Sequence, residues 1–351
     1  MANGDTNPSR IGQSHNVSTG SAGDADALFL KVFSNEILTT FDETNVMKDL
    51  HTTRTITSGK SAQFPVSGIA EAKYYQPGQD ILDAGNSYLS NIKHNEKVIF
   101  IDDMLISSTF IAEFDELKAH YSMRATYSKE IGKALAKRYD LAVMKTWVAA
   151  ARSAANINGG DGGTSIDGAS GGDGTLSSAP ELIGALFEMA QVLDEKNVPD
   201  DGQRFAVLPP ELYYKLITSD NSAVSLALNR DAGGVGSVAT GQIPQVAGIK
   251  LVKSQHIKDV RSDFSSTTTG DGSSAVKNDV FGGGNDGEGY NGDLSQTAII
   301  GGHPAAVGTV SLLDLTTQSE YSIAHQGTLF LAKYGLGHGI LRPECAVEIT
   351  L

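Results

Sequence analysis

Residues 122–155 read SMRATYSKEIGKALAKRYDLAVMKTWVAAARSAA, a stretch without proline in which Gly132 is the only glycine. Ala, Lys, Leu, Arg and Met dominate it, and these residues lose little conformational entropy in a helix. Ser122 offers a hydroxyl that can cap the first turn. At about 1.5 Å per residue, a helix of this length measures about 50 Å. The stretch predicts one long helix, around which the rest of the fold is arranged.

The apolar residues of this helix recur at every fourth position: Tyr127, Ile131, Leu135, Tyr139, Val143, Trp147 and Ala151. Four residues turn by about 400°, so the stripe shifts by about 40° at each step. A coiled-coil seam, in contrast, would keep facing one partner. The winding stripe predicts that successive turns meet different neighbours, and an ordinary long core helix is the simpler alternative.

The polar side of the same helix is basic. Eight cations lie between positions 118 and 152, namely Lys118, Arg124, Lys129, Lys133, Lys137, Arg138, Lys145 and Arg152. Only Glu130 and Asp140 oppose them, whereas the whole chain has a formal charge of −14. Two interpretations are open: a solvated face with local ion pairs, or a positive strip that faces an acidic neighbour or nucleic acid.

Composition limits the class of protein. With 351 residues and 40% hydrophobic content, the chain is expected to be globular with one large core or two. No apolar segment has the pattern of a secretory signal or the length of a bilayer span. A single cysteine, Cys345, rules out an internal disulfide and is consistent with a reducing cytoplasm. The charge of −14 argues against a general nucleic-acid binder, although it allows a protein that lies beside DNA without gripping it.

The first third of the chain predicts a long hairpin. Residues 1–23 are expected to be disordered, and a helix is predicted to begin at Asp24 or Asp26. From Arg54 to about Ile106 two alternating, extended runs flank a turn and a polar loop. Such a hairpin cannot bury both of its faces by itself, so it must find partners elsewhere. A short helix over 109–121 is predicted to lead into the long one.

The remainder alternates strands and helices around two glycine-rich tracts. Residues 158–174 are interpreted as a flexible loop, and the acidic tract 259–293 as a surface insertion. Between and after them the pattern predicts helices at 179–196 and 211–218, and strands at 204–208, 246–252, 297–300, 306–312, 328–334 and 340–349. The alternation in the middle is typical of an α/β arrangement.

No motif supports catalysis. Gly59-Lys60-Ser61 ends like a phosphate-binding loop, but Arg54 stands where the first glycine belongs. The G-x-S-x-G match at 168–172 lies inside a glycine tract, without the strand and helix of a nucleophile elbow. The eight histidines show no metal-ligand spacing. We therefore predict no catalytic, cofactor-binding or metal site and no cofactor; a weak likeness of the glycine–aspartate tracts to calcium-binding repeats stays open.

Phrases spread along most of the chain resemble one protein family. They are LFLKVF at 28–33, SGKSAQFPV at 58–66, IKHNEKV at 92–98 with Ile101-Asp102, AVGTV at 306–310 and AKYGLGHGILRPE at 332–344. In these phrases the chain resembles the major capsid proteins of T7-like short-tailed bacteriophages. The resemblance implies the α+β HK97-like capsid fold. It assigns an N-terminal arm to 1–53, an extended E-loop to 54–101, a peripheral domain with the spine helix to 102–157 and 301–351, and an axial domain to 158–300.

The same resemblance implies a structural protein rather than an enzyme. It would self-assemble into the pentamers and hexamers of an icosahedral phage head, with a scaffolding protein and a portal protein as partners. It would enclose double-stranded DNA without sequence-specific binding, involve no membrane, and assemble in the host bacterial cytoplasm to become the virion capsid. The E-loop residues expected to contact another subunit are Phe64, Val66, Tyr74, Tyr75, Val98 and Phe100. An encapsulin-type compartment shell and a calcium-dependent binding module are the alternatives.

Overall fold

The computed structural model describes residues 45–68, 70, 72–83, 88–89, 92–114, 123–157, 159–168, 176, 178–217, 245–262, 278, 280–281, 290 and 292–351. The predicted disorder at 1–23, the helix expected from Asp24 or Asp26, and the Ser122 cap lie outside these residues. Within the described residues, no helix combines the length and the hydropathy needed to cross a membrane.

The described elements form a mixed α+β fold. In chain order they are β1 (Thr52–Thr55), β2 (Ser61–Ser67), β3 (His94–Phe100), β4 (Leu105–Ala112), α1 (Met123–Arg152), β5 (Thr164–Asp167), α2 (Ala179–Glu195), β6 (Phe205–Leu208), α3 (Pro210–Ile217), β7 (Gln245–Val246), β8 (Ile249–Lys253), α4 (His256–Ser262), β9 (Thr297–Gly302), β10 (Val307–Ser322), β11 (Gly327–Ile340) and β12 (Ala346–Thr350). Short 3-10 helices precede β10 and β12.

A six-stranded sheet in the order β5-β12-β9-β6-β8-β7 holds the main core. Paired residues share a face of a sheet, and Phe205 pairs with Gly302 while Ala206 pairs with Gly301. The Phe205 ring meets Trp147 of α1, with the ring centroids 4.9 Å apart. A side chain at Gly301 would instead run into Met189 of α2. The helices α1 and α2 therefore cover opposite faces of the sheet.

The predicted long helix is confirmed as α1, which has 30 residues. Its winding stripe meets different neighbours, as expected. Ile131 and Leu135 pack near the start of the helix against Ala332 of β11. Val143 and Trp147, further along, lie fully buried against the six-stranded sheet. The helix thus joins two separate parts of the core.

Part of the basic side of α1 is buried or paired with acidic residues of the same subunit. Lys145 is buried, Lys137 lies 2.7 Å from Asp259, and Arg152 forms two hydrogen bonds of 2.7 and 2.8 Å to Glu348. These contacts favour the ion-pair interpretation for that part of the strip. Lys118 and the side chain of Arg124 lie outside the described residues.

A four-stranded sheet in the order β1-β10-β11-β4 corrects the helix predicted at 109–121. Residues 109–112 belong to β4, which pairs antiparallel with β11, so that Thr109 faces Phe330. The β-branched residues Ile106, Thr109 and Ile111 favour a strand, and a short apolar run fits either period. Only residues 113–114 are helical, and 115–121 lie outside the described residues.

The tract 158–174 is not simply a flexible loop, because it contains β5. This strand pairs parallel with β12, with Thr164 opposite Val347. A side chain at Gly163 would overlap the carbonyl oxygens of Ala150 and Ala151 at the end of α1. The glycine therefore permits close packing of backbone on backbone rather than mobility. Residues 158 and 169–174 of the tract lie outside the described part.

The interpretation of 259–293 as a surface insertion is wrong for part of the segment, although Asp293 is exposed. The segment begins inside α4, and Asn278 and Tyr290 are both buried, with 7% and 6% of their surface exposed. Phe281 packs partly buried against the main core. Residues 263–277 and 282–289 lie outside the described part.

Candidate functional site

The predicted hairpin is present as β2 and β3. The two strands pair antiparallel from Ser61 opposite Phe100 to Ser67 opposite His94. Beyond them, the described residues between 68 and 93 form no strand. The hairpin begins later than predicted, because Arg54 and Thr55 pair with β10 in the four-stranded sheet. We call residues 68–93 the hairpin tip.

The base of the hairpin is anchored in its own subunit. Ala62 and Ile99 are buried in a small cluster with Val310 and Leu341. The glycines of β11 make this contact possible, since a side chain at Gly337 would overlap the carbonyl of Phe100. The glycine-dense run 335–339 therefore lets two strands approach closely.

The hairpin tip is held by its own side chains. The Tyr88 hydroxyl donates to Gln79 Oε1 at 2.5 Å and accepts from the Gln76 N–H at 3.1 Å. The Tyr75 hydroxyl donates to the Gln79 carbonyl at 2.9 Å. Tyr74, next to this network, is fully exposed. Residues 75–79 of the tip thus form a hydrogen-bonded turn, and the described apolar side chains around it are exposed.

The predicted contact residues divide into two groups. Tyr74, Tyr75 and Phe100 are 100%, 52% and 40% exposed. Phe64, Val66 and Val98 are half-buried, and Arg54 stacks over the Phe64 ring at 5.4 Å from its centroid. All six keep surface that a neighbour could cover, and that role stays a prediction.

Sequence reasoning missed four exposed apolar residues of the tip: Ile81, Leu82, Leu89 and Ile92. Leu82 is 75% exposed and Leu89 64%. Asp80 and Asp83 flank the first pair, so the segment has the composition of a polar loop. The signal that could have identified them is the number of apolar residues in the loop between the two extended runs, although these residues follow no periodic pattern.

A second apolar surface lies on the four-stranded sheet. Phe330 and Ala332 of β11 pack against Ile131 and Leu135 of α1, so their neighbours along the strand point to the opposite face of the sheet. On that opposite face Phe110 pairs with Leu329, and both are exposed, as is Ile106 on the same strand as Phe110. We call this the outer sheet face. Sequence analysis missed this surface because the segment that carries Phe110 was predicted as a helix, so its pairing with β11 was not anticipated.

A buried chain of polar groups lies next to the hairpin base. Thr309 Oγ1 is 2.7 Å from His51 Nε2 and 2.8 Å from His338 Nδ1. Burial lowers the pKa of His338 to about 3 and also lowers the pKa of His51. Both imidazoles are therefore neutral near pH 7, and both are buried. Buried and neutral, they act as structural groups.

The cleft between the hairpin and the six-stranded sheet has a volume of about 690 Å³. Lys93, Arg342 and Glu344 line it, together with Lys196, whose ammonium donates to the Gly162 carbonyl at 2.6 Å. Burial lowers the pKa of Lys196. Among the described residues, no group of three His, Cys, Asp or Glu side chains is placed to hold a metal ion.

The comparisons with known proteins agree on one family. The family model "Gp10A-like: Major capsid protein" matches residues 63–350. The chain is 33% identical to the major capsid protein of Escherichia phage T7 over 357 residues, which cover 98% of each chain. The chain belongs to the Gp10A-like major capsid protein family. This Gp10A-like protein is also 32% identical to the major capsid protein of Enterobacteria phage T3, over 94% of this chain and 93% of that one.

Solved structures place the Gp10A-like protein among phage capsids. The capsid structure of cyanophage P-SCSP1u matches with a TM-score of 0.72 and 33% identity, over 99% of each chain. The mature capsid of bacteriophage PhiM1 matches with a TM-score of 0.67 at 16% identity, also over 99% of each chain, which shows the fold alone. The protein has the α+β HK97-like capsid fold. It is a phage major capsid protein that forms a multimeric shell, and its place is the virion capsid. The comparisons support neither the encapsulin-type shell nor the calcium-dependent module.

Proposed function

We propose that the protein is the repeating subunit of an icosahedral phage head, in which pentamers and hexamers enclose double-stranded DNA. The observation that carries the proposal is the hairpin tip. Tyr74, Leu82 and Leu89 are apolar and largely exposed on a hairpin whose base is buried in its own subunit. Further along β3, Asn95 Nδ2 donates to the Asn156 carbonyl of the same subunit at 2.6 Å. A hairpin of this kind is marginal unless a partner covers it.

The partner surface proposed for the tip is the outer sheet face of a neighbouring copy. That face carries exposed Ile106, Phe110 and Leu329, which complement an apolar tip. Donor and acceptor lie on different parts of one chain, so the contact is heterologous and repeats from copy to copy. A few hundred Å² of apolar contact at about 25 cal/mol per Å² is worth several kcal/mol before the cost of association.

The division into an arm at 1–53, an E-loop at 54–101, a peripheral domain at 102–157 and 301–351, and an axial domain at 158–300 is part of this proposal. A scaffolding protein and a portal protein are the proposed assembly partners, and the host bacterial cytoplasm is the proposed place of assembly. A net charge of −14 favours packaged DNA that is enclosed without being gripped. We assign the chain no enzymatic activity and no membrane contact.

The test is the double variant Tyr74→Ser/Leu82→Ser, expressed together with the scaffolding protein. We expect folded, soluble protein without closed shells, because the substitution removes apolar contact only from the tip. Ile106→Ser/Phe110→Ser should have the same effect from the acceptor side. Lys73→Ser, in the same tip, is the matched control and should assemble normally.

Electron microscopy and sedimentation measure shell formation, and circular dichroism measures folding. Shells of normal size from Tyr74→Ser/Leu82→Ser would show that the tip does not join subunits. A tip variant that is unfolded would show instead that these side chains belong to the core of their own subunit. Normal shells from the acceptor variant alone would place the partner surface elsewhere.

A further inference from the structure

The hairpin re-enters its subunit at residues 100–102, which we call the hairpin root. Two buried side chains from a distant part of the chain hold this root. They are Asn278 and Tyr290, both in the tract that the sequence suggested was a surface insertion. Their contacts give that tract a role in placing the hairpin.

Asn278 continues the sheet across the outer edge of β3. The N–H of Phe100 donates to Asn278 Oδ1 at 2.9 Å, and Asn278 Nδ2 donates to the Phe100 carbonyl at 2.7 Å. The next N–H, that of Ile101, turns the other way and donates to the Lys60 carbonyl at 2.9 Å. The side-chain amide thus pairs with Phe100 as a neighbouring strand would. A primary amide offers both a donor and an acceptor, which a carboxylate or an apolar side chain does not.

Tyr290 and Asn278 share the carboxylate of Asp102. The Tyr290 hydroxyl donates to Asp102 Oδ2 at 2.6 Å, and Asn278 Nδ2 reaches Asp102 Oδ1 at 3.1 Å. The N–H of His338 donates to the Tyr290 oxygen at 2.9 Å, which ties the group to β11. Burial and the charge of Asp102 raise the pKa of Tyr290 well above its ordinary value, so the hydroxyl keeps its proton. The carboxylate is therefore fixed through both of its oxygens.

The root is consequently enclosed from two sides. On one side β11 lies against it: the N–H of Asp102 donates to the Leu336 carbonyl at 3.0 Å, and Gly337 leaves room for the Phe100 carbonyl. On the other side are Asn278 and Tyr290. The seven residues of β3 extend for about 23 Å from this point. A rotation of about 10° at the root would therefore move the far end by about 4 Å, which is the length of an apolar contact.

We propose that Asn278 and Tyr290 are positioning residues that set the angle at which the β2–β3 hairpin leaves the subunit. They act through the root and not by contact with a neighbouring copy. The consequence for assembly rests on the proposed function, in which the hairpin joins subunits. With the root contacts in place the tip is presented in one direction. Without them the bond of 2.6 Å from Asn95 Nδ2 to the Asn156 carbonyl still restrains β3 near its far end, and the hairpin pivots about that point so that the tip samples several directions.

The experiment measures the hairpin angle in the unassembled protein by pulsed electron spin resonance. One spin label is placed at Ser67→Cys, at the far end of the hairpin, and the reference label at Gln191→Cys, exposed on α2. The native Cys345 is buried, and burial raises its pKa to about 11, so it stays unlabelled. We expect one narrow distance distribution in the parent and a roughly twofold broader one in Asn278→Ala and in Tyr290→Phe.

Tyr321→Phe is the matched control. Tyr321 also donates its hydroxyl to a carboxylate at 2.6 Å, that of Glu113, but at an exposed site on β10. Tyr321→Phe thus removes a tyrosine hydroxyl from a hydrogen bond of the same kind. The distribution of distances between the two spin labels should stay narrow. Tyr290→Phe removes a single atom and leaves the ring in place, so it keeps the measurement possible if Asn278→Ala is poorly soluble. A parent-like distribution in folded Tyr290→Phe would overturn the proposal.

The tip variant Tyr74→Ser/Leu82→Ser separates this inference from the proposed function. Its root is intact, so we expect a parent-like distance distribution together with a loss of shells. If it assembles normally, the proposed role of the tip fails, while the angle measured in Tyr290→Phe still decides the positioning role. If Tyr290→Phe broadens the distribution yet shells form at the parent rate, the two residues set the angle but assembly does not depend on it, and the link to assembly is wrong.

Discussion

The six-stranded sheet and the β2–β3 hairpin use strands in opposite ways. Every residue of β6 and β9 is buried, whereas β2 and β3 bury only Ala62 and Ile99. β6 and β9 are nearly continuous apolar runs in the middle of a sheet that helices cover on both faces, whereas the strands of the hairpin alternate apolar with polar residues. The difference shows that the buried core lies in the sheet while the hairpin leaves most of its surface exposed. It agrees with the proposal that the hairpin, rather than the sheet, joins subunits.

The largest change in stability is expected from Trp147→Ala. Trp147 is fully buried between α1 and the six-stranded sheet, and its indole N–H donates to the Gly301 carbonyl at 2.9 Å. The substitution leaves a cavity and removes this hydrogen bond, so the free energy of unfolding should fall by about 3–5 kcal/mol. Denaturant unfolding measures it, with Phe187→Ala, an exposed aromatic on α2, as the control expected to stay within about 0.5 kcal/mol. Equal losses of stability in Trp147→Ala and Phe187→Ala would contradict the view that the buried core of the sheet carries the stability of the subunit.

Glu348→Gln should have the next largest effect. The Glu348 carboxylate is completely buried and accepts two hydrogen bonds from Arg152 and one of 2.6 Å from the Thr297 hydroxyl. Because a third of the Arg152 side chain reaches solvent, we expect a loss of about 2–3 kcal/mol, below the full cost of breaking a buried pair. Glu195→Gln, on the exposed side of α2, is the matched control and should change the free energy of unfolding by no more than about 0.5 kcal/mol. If Glu348→Gln unfolds at the parent denaturant concentration, the pair contributes nothing.

The stability of the subunit should fall in mild acid because of His338. Its pKa is about 3 in the folded protein against an ordinary value of 6.5, so between these values the unfolded chain binds the proton and the folded chain does not. The contribution of neutral His338 to the free energy of unfolding is complete above about pH 6.5, and it declines as the pH falls towards 3. The slope for one such group approaches about 1.4 kcal/mol per pH unit. The free energy of unfolding should therefore differ more between pH 7 and pH 5 in the parent than in His338→Gln. Equal differences in the two proteins would contradict the low pKa of His338.

Tyr88→Phe should have the smallest effect on global unfolding. Its hydroxyl holds the turn at Gln76 and Gln79, but the tip opens locally without disturbing the core. We expect a change below about 0.5 kcal/mol in the free energy of unfolding and faster hydrogen exchange at Gln76. A loss comparable to that of Glu348→Gln would show that the tip is part of the cooperative unit.

Sequence reasoning found the elements whose signal is local. The composition of α1, the buried run before Pro209 and the two alternating runs of the hairpin are each visible within a short window. It failed where a partner distant in the chain decides. Residues 109–112 became a strand because β11 lies beside them, and residues 164–167 because β12 does.

Glycine and polar residues account for the other failures. A glycine can be present because it makes the backbone flexible or because it leaves room for a neighbouring chain segment, and a sequence does not distinguish the two. Gly163 and Gly337 belong to the second kind, since both allow close packing. Asn278 and Tyr290 lie in a tract with the composition of a loop, so nothing in their surroundings marks them as buried. Their hydrogen bonds to the hairpin root join residues far apart in the chain, which no periodic pattern encodes.

Trp147 is the only tryptophan of the chain, and it lies in the six-stranded core rather than on the hairpin. Its fluorescence therefore reports a single location. Emission from a buried indole shifts to longer wavelength when water reaches it, so the signal follows loss of the core. If subunits dock through the hairpin, as proposed, docking would leave the surroundings of Trp147 unchanged and would be detected by light scattering instead. Tryptophan fluorescence and light scattering, recorded on the same sample, can thus follow unfolding and shell growth separately.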